Sequence, residues 1–325
     1  MTSDDRWAHG SEFHWPLLTS PATAAALPSP WAAAGVLSGS GRDALRLVLA
    51  HGRRVHGWRR LWVPSYLCQD VVAALVGTGL PCVLYADAPT QSGPDSSTLE
   101  PTAEDVVLLV NYFGLRGPEP LALGDAAIIV DHTHDPWSPW AIDGTVDYAV
   151  ASLRKTLPIP DGGVLWSPKG LALPDAPPLT TRHAAAAEAK WKAMRLKGHY
   201  LAGEMVAEED FRGLALEGEA AMGEGEVSGI HPATATRLGD FPAAGWRERR
   251  RRNHHVLAEA LEGLDGLTVL SPRPDGCPFS GVLVFDAADQ RERVRQALVA
   301  ARSHPSVLWP MDAPVLEGVS DAHRM

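Results

Sequence analysis

The stretch that decides the fold is Asp147-Tyr148-Ala149-Val150-Ala151-Ser152-Leu153-Arg154-Lys155-Thr156-Leu157-Pro158-Ile159-Pro160-Asp161-Gly162-Gly163-Val164-Leu165. An apolar run ends at Ser152, a lysine follows in a proline-stiffened loop flanked by the apolar Leu157 and Ile159, and two glycines open the next apolar run. Partial burial of such an amine lowers its pKa and makes condensation with an aldehyde feasible. Lysine is scarce here, because only five of the 29 basic residues are lysines and the rest are arginines. Arginine serves as well for a surface cation but cannot deprotonate and attack a carbonyl. A loop lysine reaching into solvent is the commoner fate of this residue type, but arginine would serve equally well there, so a lysine kept in this setting points to chemistry.

Working outward, short apolar runs recur with helical or loop segments between them. Leu61–Val63, Cys82–Tyr85, Val106–Val110, Ala127–Val130, Val146–Ala151 and Gly163–Trp166 read as strands, apolar throughout, as in a mainly parallel sheet covered on both faces. Helices are expected over Arg42–His51 and Gln69–Val76, and residues 184–226 are helical in composition with glycine interruptions. A boundary falls near Gly239-Asp240-Phe241-Pro242. Beyond it the pattern predicts a helix over 243–261, a strand at 267–270, another at 281–285, a helix over 290–302 and a last short strand at Val307–Trp309. The expected organisation is an N-terminal arm (1–30), a large domain (31–239) and a smaller α+β domain (240–325). The stop at Ala322-His323-Arg324-Met325 reads as the middle of a helix, the pattern of a truncated domain.

Composition narrows the function classes. Hydrophobic residues make up 45% and charged residues 21% of the 325, enough for a real core, and the net charge is −10. That balance disfavours a nucleic-acid or membrane-surface binder. No apolar run approaches the ~20 residues that span a bilayer. Three cysteines without a C-x-x-C spacing argue against a disulfide framework or structural zinc, and the expected location is cytoplasmic.

Two further motifs carry chemistry. Ser38-Gly39-Ser40-Gly41-Arg42-Asp43 runs glycines into a helix, where open N–H groups and the positive helix end can cradle a phosphate. Ser40 as a simple N-cap is an equal reading. Ile128-Ile129-Val130-Asp131-His132-Thr133-His134 places a carboxylate at the end of a buried strand, where open α/β sheets bind ligands. Asp131 can hold a cationic ring nitrogen with His134 reaching the same ring. Asp131 as a turn cap is the plainer reading, and a metal set of Asp131, His132, His134 and Asp135 ranks third. Asn111 and Tyr112 in Asn111-Tyr112-Phe113-Gly114 follow a strand at the ligand-facing edge. Arg247–Arg252 begins the long C-terminal helix and is expected to be mostly solvated or paired with the acidic 204–226 stretch, with His254-His255 on the surface. Trp309 reads as core or substrate lid.

Taken in order, the phosphate turn, Asp-x-x-His after a strand and Ser-x-x-Lys before Gly-Gly resemble the pyridoxal-phosphate enzymes of fold type I. The chain is similar to a divergent branch of the DegT/DnrJ/EryC1/StrS sugar aminotransferases over roughly residues 35–310. The resemblance implies a large α/β domain with a mainly parallel seven-stranded sheet, as in aspartate aminotransferase, plus a smaller C-terminal α+β domain. It implies that Lys155 links to pyridoxal 5′-phosphate as a Schiff base and that Asp131 pairs with its ring nitrogen. His134 then stands near the phenolic oxygen, and Ser152, Ser40, Gly41 and Arg42 hold the phosphate. The family's ring-stacking aromatic falls near Cys68, so Tyr66 stacks or Cys68 covers the ring, with Asn111 lining the pocket. The spacing of two residues between Ser152 and Lys155 is shorter than usual in that family. The implied activity is transamination between an amino donor and a keto or aldehyde acceptor, a sugar or secondary-metabolite intermediate, in a homodimer. Other chemistry on the same cofactor (dehydration, decarboxylation, aldol-type cleavage) and a non-catalytic relative are the alternatives.

Overall fold

The computed structural model describes residues 6–7, 10, 12–15, 29–31, 34–223, 225–309 and 313–317. Its centre is a seven-stranded sheet of β1 (Val36–Ser38), β2 (Arg60–Pro64), β3 (Cys82–Tyr85), β4 (Asp105–Val110), β5 (Ala127–Asp131), β6 (Tyr148–Ser152) and β7 (Gly163–Trp166), in the order β1-β7-β6-β5-β4-β2-β3. Strands β2 to β6 are mutually parallel, β7 runs antiparallel to β6, and β1 runs antiparallel to β7. This is the expected α/β sheet. The six apolar runs are all strands; the seventh, β1, is only three residues long and lies directly before the glycine turn.

Alternation along the strands explains why they are apolar throughout. In β4, Val106, Leu108 and Val110 enter one core cluster with α1 (Gly41–Val55) and α2 (Gln69–Val76). Val107 and Leu109 enter the cluster on the opposite face with Trp62, Tyr85 and Trp140. Successive side chains leave opposite faces of a strand, so a strand covered on both sides has no polar face to show. In β6, Tyr148 and Val150 face α1, while Ala149 and Ala151 pack with Trp31, Val164 and Trp166. Truncating a fully buried centre such as Ile129 or Leu108 to alanine costs about 2–5 kcal/mol.

After the sheet come α3 (Thr181–Leu201) and α4 (Glu208–Met222), packed as an antiparallel hairpin. They are followed by α5 (Pro232–Ala235), α6 (Ala243–Leu261), the antiparallel pair β8 (Leu267–Val269) and β9 (Leu283–Phe285), and α7 (Ala288–Ala300). This C-terminal unit buries little: in α6 only Ala243 and His254 are buried, and in α7 none. Two expectations need correction here. Val307–Trp309 is not a strand; it has no ladder partner, and Tyr66 pins it instead, its hydroxyl donating to the Leu308 carbonyl and accepting from the Trp309 N–H at 2.9 Å. His254 is buried rather than on the surface, because the two-stranded sheet folds back on α6 and brings the Leu270 carbonyl 3.0 Å from its Nε2. Residues 318–325, with the expected mid-helix stop, lie outside the described residues, as does most of the N-terminal arm.

Candidate active site

Three chain segments meet at the carboxyl edge of the parallel strands, where such sheets present their ligand sites. Asn111 follows β4, Asp131 ends β5 and Ser152 ends β6, and the ends are tied together. The Asn111 N–H donates to the Asp131 carbonyl at 3.0 Å, and the Ser152 N–H donates to Thr133 Oγ1 at 2.9 Å. Asp131 Oδ1 accepts from the Thr133 N–H at 2.8 Å. Burial pushes the Asp131 carboxyl above its ordinary value, and the hydrogen bonds from Thr133 pull against that shift. The turn cap foreseen for Asp131 is thus present, while the carboxylate still lies at the strand end, part-buried between Val110 and Val150 in the register.

The glycine turn packs against this edge. Ser40 caps α1: its Oγ accepts from the Asp43 N–H at 3.1 Å and donates to Asp43 Oδ2 at 2.8 Å, and its carbonyl takes the Ala44 N–H. A helix opens with four N–H groups lacking intrahelical partners. The Ala44 N–H makes the first intrahelical bond and the Ser40 hydroxyl satisfies that of Asp43, which leaves those of Gly41 and Arg42 at the positive end of a 15-residue helix. Gly41 is required for contact, since a Cβ there would lie 2.8 Å from Ser152 Cβ. Gly163 is required likewise, because a Cβ there would meet the Ser40 carbonyl oxygen at 2.1 Å. Turn and lysine strand thus touch backbone to backbone. The Arg42 guanidinium lies against Gly223 at the end of α4.

Lys155 closes a single 3-10 turn, Leu153–Lys155. The Leu153 N–H donates to the Gly162 carbonyl at 3.0 Å, and the Leu157 N–H to the Leu153 carbonyl at 2.9 Å. Leu157 and Ile159 are buried in the core beside β6 and β7, so the loop is anchored on its apolar side. The Lys155 side chain itself is exposed, and its amine has no hydrogen-bond or ion-pair partner among the described residues. Even with that open face, desolvation by the surrounding protein, helped by the Arg154 and Lys190 cations, lowers its pKa against the opposing pull of Glu219 and Cys68. Such an amine is a better nucleophile near neutral pH than a solvated one.

His134 is enclosed by rings: Phe113 at 5.2 Å and 17°, Phe279 at 4.8 Å, and Trp309 at 6.1 Å and 22°. Its Nδ1 accepts from the Phe113 N–H at 3.0 Å, so the neutral ring carries its proton on Nε2. Burial, with the nearby Lys155 cation, drives its pKa down to about 3, which keeps it neutral. Phe113 adopts φ +54°, and a Cβ on Gly114 would meet the Cys277 carbonyl oxygen at 2.1 Å, so this corner is locked against the C-terminal unit.

The remaining sequence candidates are placed differently. Tyr66 is buried, its hydroxyl engaged with Leu308 and Trp309 and its ring 5.3 Å from Trp309. Cys68 is half-buried before α2, its thiol unbonded and within electrostatic reach of Lys155. Asn111 is fully buried; its Oδ1 accepts from the Arg116 N–H at 3.1 Å, and its Nδ2 has no partner. His132 is sealed between Trp140 and Trp166 with both ring nitrogens unpartnered, and burial pushes its pKa down to about 3. Among the described residues no group of His, Cys, Asp and Glu could hold a metal ion, and no helix is long and apolar enough to cross a membrane.

Several residues at the site escape a sequence reading. Arg249, Arg251 and Arg252 are exposed as expected, but Arg247 and Arg250, one turn apart on α6, are not. Neither pairs with the acidic 204–226 stretch. Arg247 forms an ion pair with buried Asp135; Arg250 donates to the Thr156 carbonyl at 3.1 Å and lies over the Phe279 ring. Their i, i+3 spacing is the only signal the sequence offers. The acidic stretch instead supplies Glu219, which binds Arg154 through both oxygens at 2.6 and 2.7 Å and Lys190 at 2.5 Å. Those two cations outweigh burial and hold the Glu219 carboxyl down at about 2.

No protein-family model matches this sequence, and no curated protein matches it. Solved structures do. DesV of S. venezuelae is 17% identical with a TM-score of 0.49, covering 83% of this chain and 68% of its own. The aminotransferase TlmJ of Streptoalloteichus hindustanus is 18% identical with a TM-score of 0.47, covering 83% and 70%. A glycine decarboxylase (P-protein) of the glycine cleavage system is 16% identical with a TM-score of 0.49, covering 86% and 64%.

Proposed function

We propose that this chain is a pyridoxal-phosphate-dependent aminotransferase, and the observation that carries the reading is the unpartnered, pKa-lowered amine of Lys155, close enough to His134 to act on its pKa, on the loop that follows β6 next to the strand ending in Asp131. The residues present fit that cofactor. The turn approaches Ser152 too closely for a side chain at residue 41, and it leaves two helix N–H groups open for a phosphate. A lysine without a partner, a carboxylate and a neutral imidazole complete the set.

When bound, the cofactor supplies an electron sink for the carbanion at the donor's Cα. The N–H groups of Gly41 and Arg42 with the Ser152 hydroxyl hold the phosphate, and the Ser40 hydroxyl keeps the turn in shape through Asp43. Asp131 would keep the ring nitrogen protonated, and His134, neutral with its proton on Nε2, would serve as a donor to the phenolic oxygen. Lys155 Nζ is the group that would hold the cofactor's carbonyl carbon, and as a free amine it would serve as the base and acid that moves a proton between the donor's Cα and that carbon. Arg250, a half-buried cation without an acidic partner among the described residues, is available to a donor's carboxylate one residue from the lysine. Phe113, Phe279 and Trp309 limit water there.

The acceptor in this reading is a keto or aldehyde compound of the sugar or secondary-metabolite class, and the working unit is a homodimer in the cytoplasm. The exposed Met205 and Leu216 of the α3–α4 hairpin suit contact with a second copy. The test is a visible spectrum of the purified protein with the cofactor, before and after L-glutamate. Conversion from the absorbing carbonyl form to the amine form supports transamination. Absorbance that glutamate leaves unchanged assigns other chemistry, and a colourless protein rejects the cofactor.

A further inference from the structure

A second polar cluster lies against the glycine turn at Gly39. His183, near the start of α3, and Asp161, six residues past the lysine, are both buried and meet through Nε2 and Oδ2 at 3.0 Å. Asp161 Oδ2 also accepts from the His231 N–H at 2.8 Å, and Oδ1 accepts from the Thr234 hydroxyl. The imidazole is thus held from one side only. Its other side lies under Gly39: a Cβ there would sit 2.5 Å from His183 Cε1, so ring and peptide are in direct contact. Gly39 is in turn held at both ends, its N–H donating to the Ser228 carbonyl and its carbonyl accepting from the Gly162 N–H, each at 2.7 Å.

We propose that His183, fixed by Asp161, is a positioning residue that sets the height of the Ser38–Gly41 turn and so aims the Gly41 and Arg42 N–H groups at a phosphate monoester. The ligand class is a phosphate carried on a planar ring, which rests on the cofactor reading above. Helix N–H donors bind an oxyanion only within a narrow range of distance and angle. A turn free to sink by a fraction of an ångström into the space of a missing ring loses that alignment. Asp161 keeps its hydrogen bonds from the His231 N–H and the Thr234 hydroxyl without the imidazole, so the lysine's loop stays anchored when His183 is lost. The imidazole touches the turn's backbone and not the ligand, so its loss acts only on the phosphate end.

The experiment titrates the apo-protein with pyridoxal 5′-phosphate, with pyridoxal lacking the phosphate, and with inorganic phosphate followed by ³¹P line broadening. For His183→Ala, affinity for pyridoxal phosphate and for inorganic phosphate falls about tenfold or more while that for pyridoxal stays within about twofold, a tenfold change being the loss expected for misaligned donors. His183→Gln, which keeps most of the volume and a donor for Asp161, recovers most of that loss. If His183→Ala does not fold, Gly39→Ala presses the same contact from the turn side and gives the same phosphate-selective loss. Equal weakening of pyridoxal and pyridoxal phosphate, or unchanged phosphate affinity in a folded variant, overturns the proposal. A wild-type protein that binds inorganic phosphate with an affinity that His183→Ala lowers, but binds neither pyridoxal form, keeps the positioning role and rejects the cofactor reading.

Discussion

Lys155 and Lys190 sit in adjoining regions and feel the same Glu219, yet their surroundings assign them opposite tasks. Lys190, on the α3–α4 hairpin, is the more deeply buried, and its amine lies 2.5 Å from Glu219, which Arg154 grips from the other side. Lys155, on the loop after β6, is exposed and unpartnered among the described residues. Both amines have lowered pKa values, in each case through desolvation first. Burial alone therefore does not identify a reactive amine; the missing counter-ion does. Glu219 satisfies Arg154 and Lys190 and leaves Lys155 free.

The largest effect should come from Lys155→Ala, which removes the visible absorbance of the cofactor-loaded protein and brings turnover to background. Absorbance retained at full strength in that variant breaks the comparison outright. Asp131→Asn keeps part of the cofactor binding but lowers turnover by about 100-fold or more, because the ring nitrogen is no longer held protonated. Steady-state rates with saturating donor check this.

Lys190→Met sharpens the contrast from the other side. It leaves Glu219 with one cation, costs about 1–2 kcal/mol in a denaturant melt given the half-open carboxylate, and changes turnover by no more than about threefold. A Lys190 variant that lost the absorbance while folded would reverse the assignment of the two lysines.

The smallest effect concerns His132, a polar group left open where nothing can reach it. Its folded pKa of about 3 lies below the ordinary 6.5, so the unfolded chain binds a proton that the folded chain refuses. Stability contributed by the neutral ring is complete above pH 6.5 and declines as pH falls towards 3. At pH 5 the proton refused by the folded ring amounts to about 2 kcal/mol. His132→Phe removes that term and should gain stability over wild type at pH 5 by about 2 kcal/mol more than at pH 7.5, read from paired denaturant melts. Buried Asp87, with a pKa raised to about 6, acts in the opposite sense in wild type and variant alike, so the difference cancels it.

Much of this site is visible in the sequence for a physical reason. Asp131, Ser152 and Lys155 stand at the ends of runs that are apolar because both strand faces are covered, and the carboxyl ends of parallel strands converge. Local order therefore carries their relative placement. Gly41 is readable in the same way, as the residue between turn and helix. Pairings that cross long stretches of chain are not readable: Arg250 with the Thr156 carbonyl is 94 residues apart, and Arg154 with Glu219 is 65. A run of arginines on a helix points in all directions, so its sequence does not say which two turn inward. Tyr66 looked free to stack on a ring; nothing local to it shows that residues 308–309 return to claim its hydroxyl. His183 lacks a motif altogether, and only the contact with Gly39 reveals it.

The most direct measurement is to load the protein with pyridoxal phosphate, reduce it with borohydride and locate the fixed adduct by peptide mass spectrometry. A single modified site at Lys155, blocked by prior addition of an amino donor, is expected. An adduct at Lys190 or spread over the surface lysines, or none at all, contradicts it.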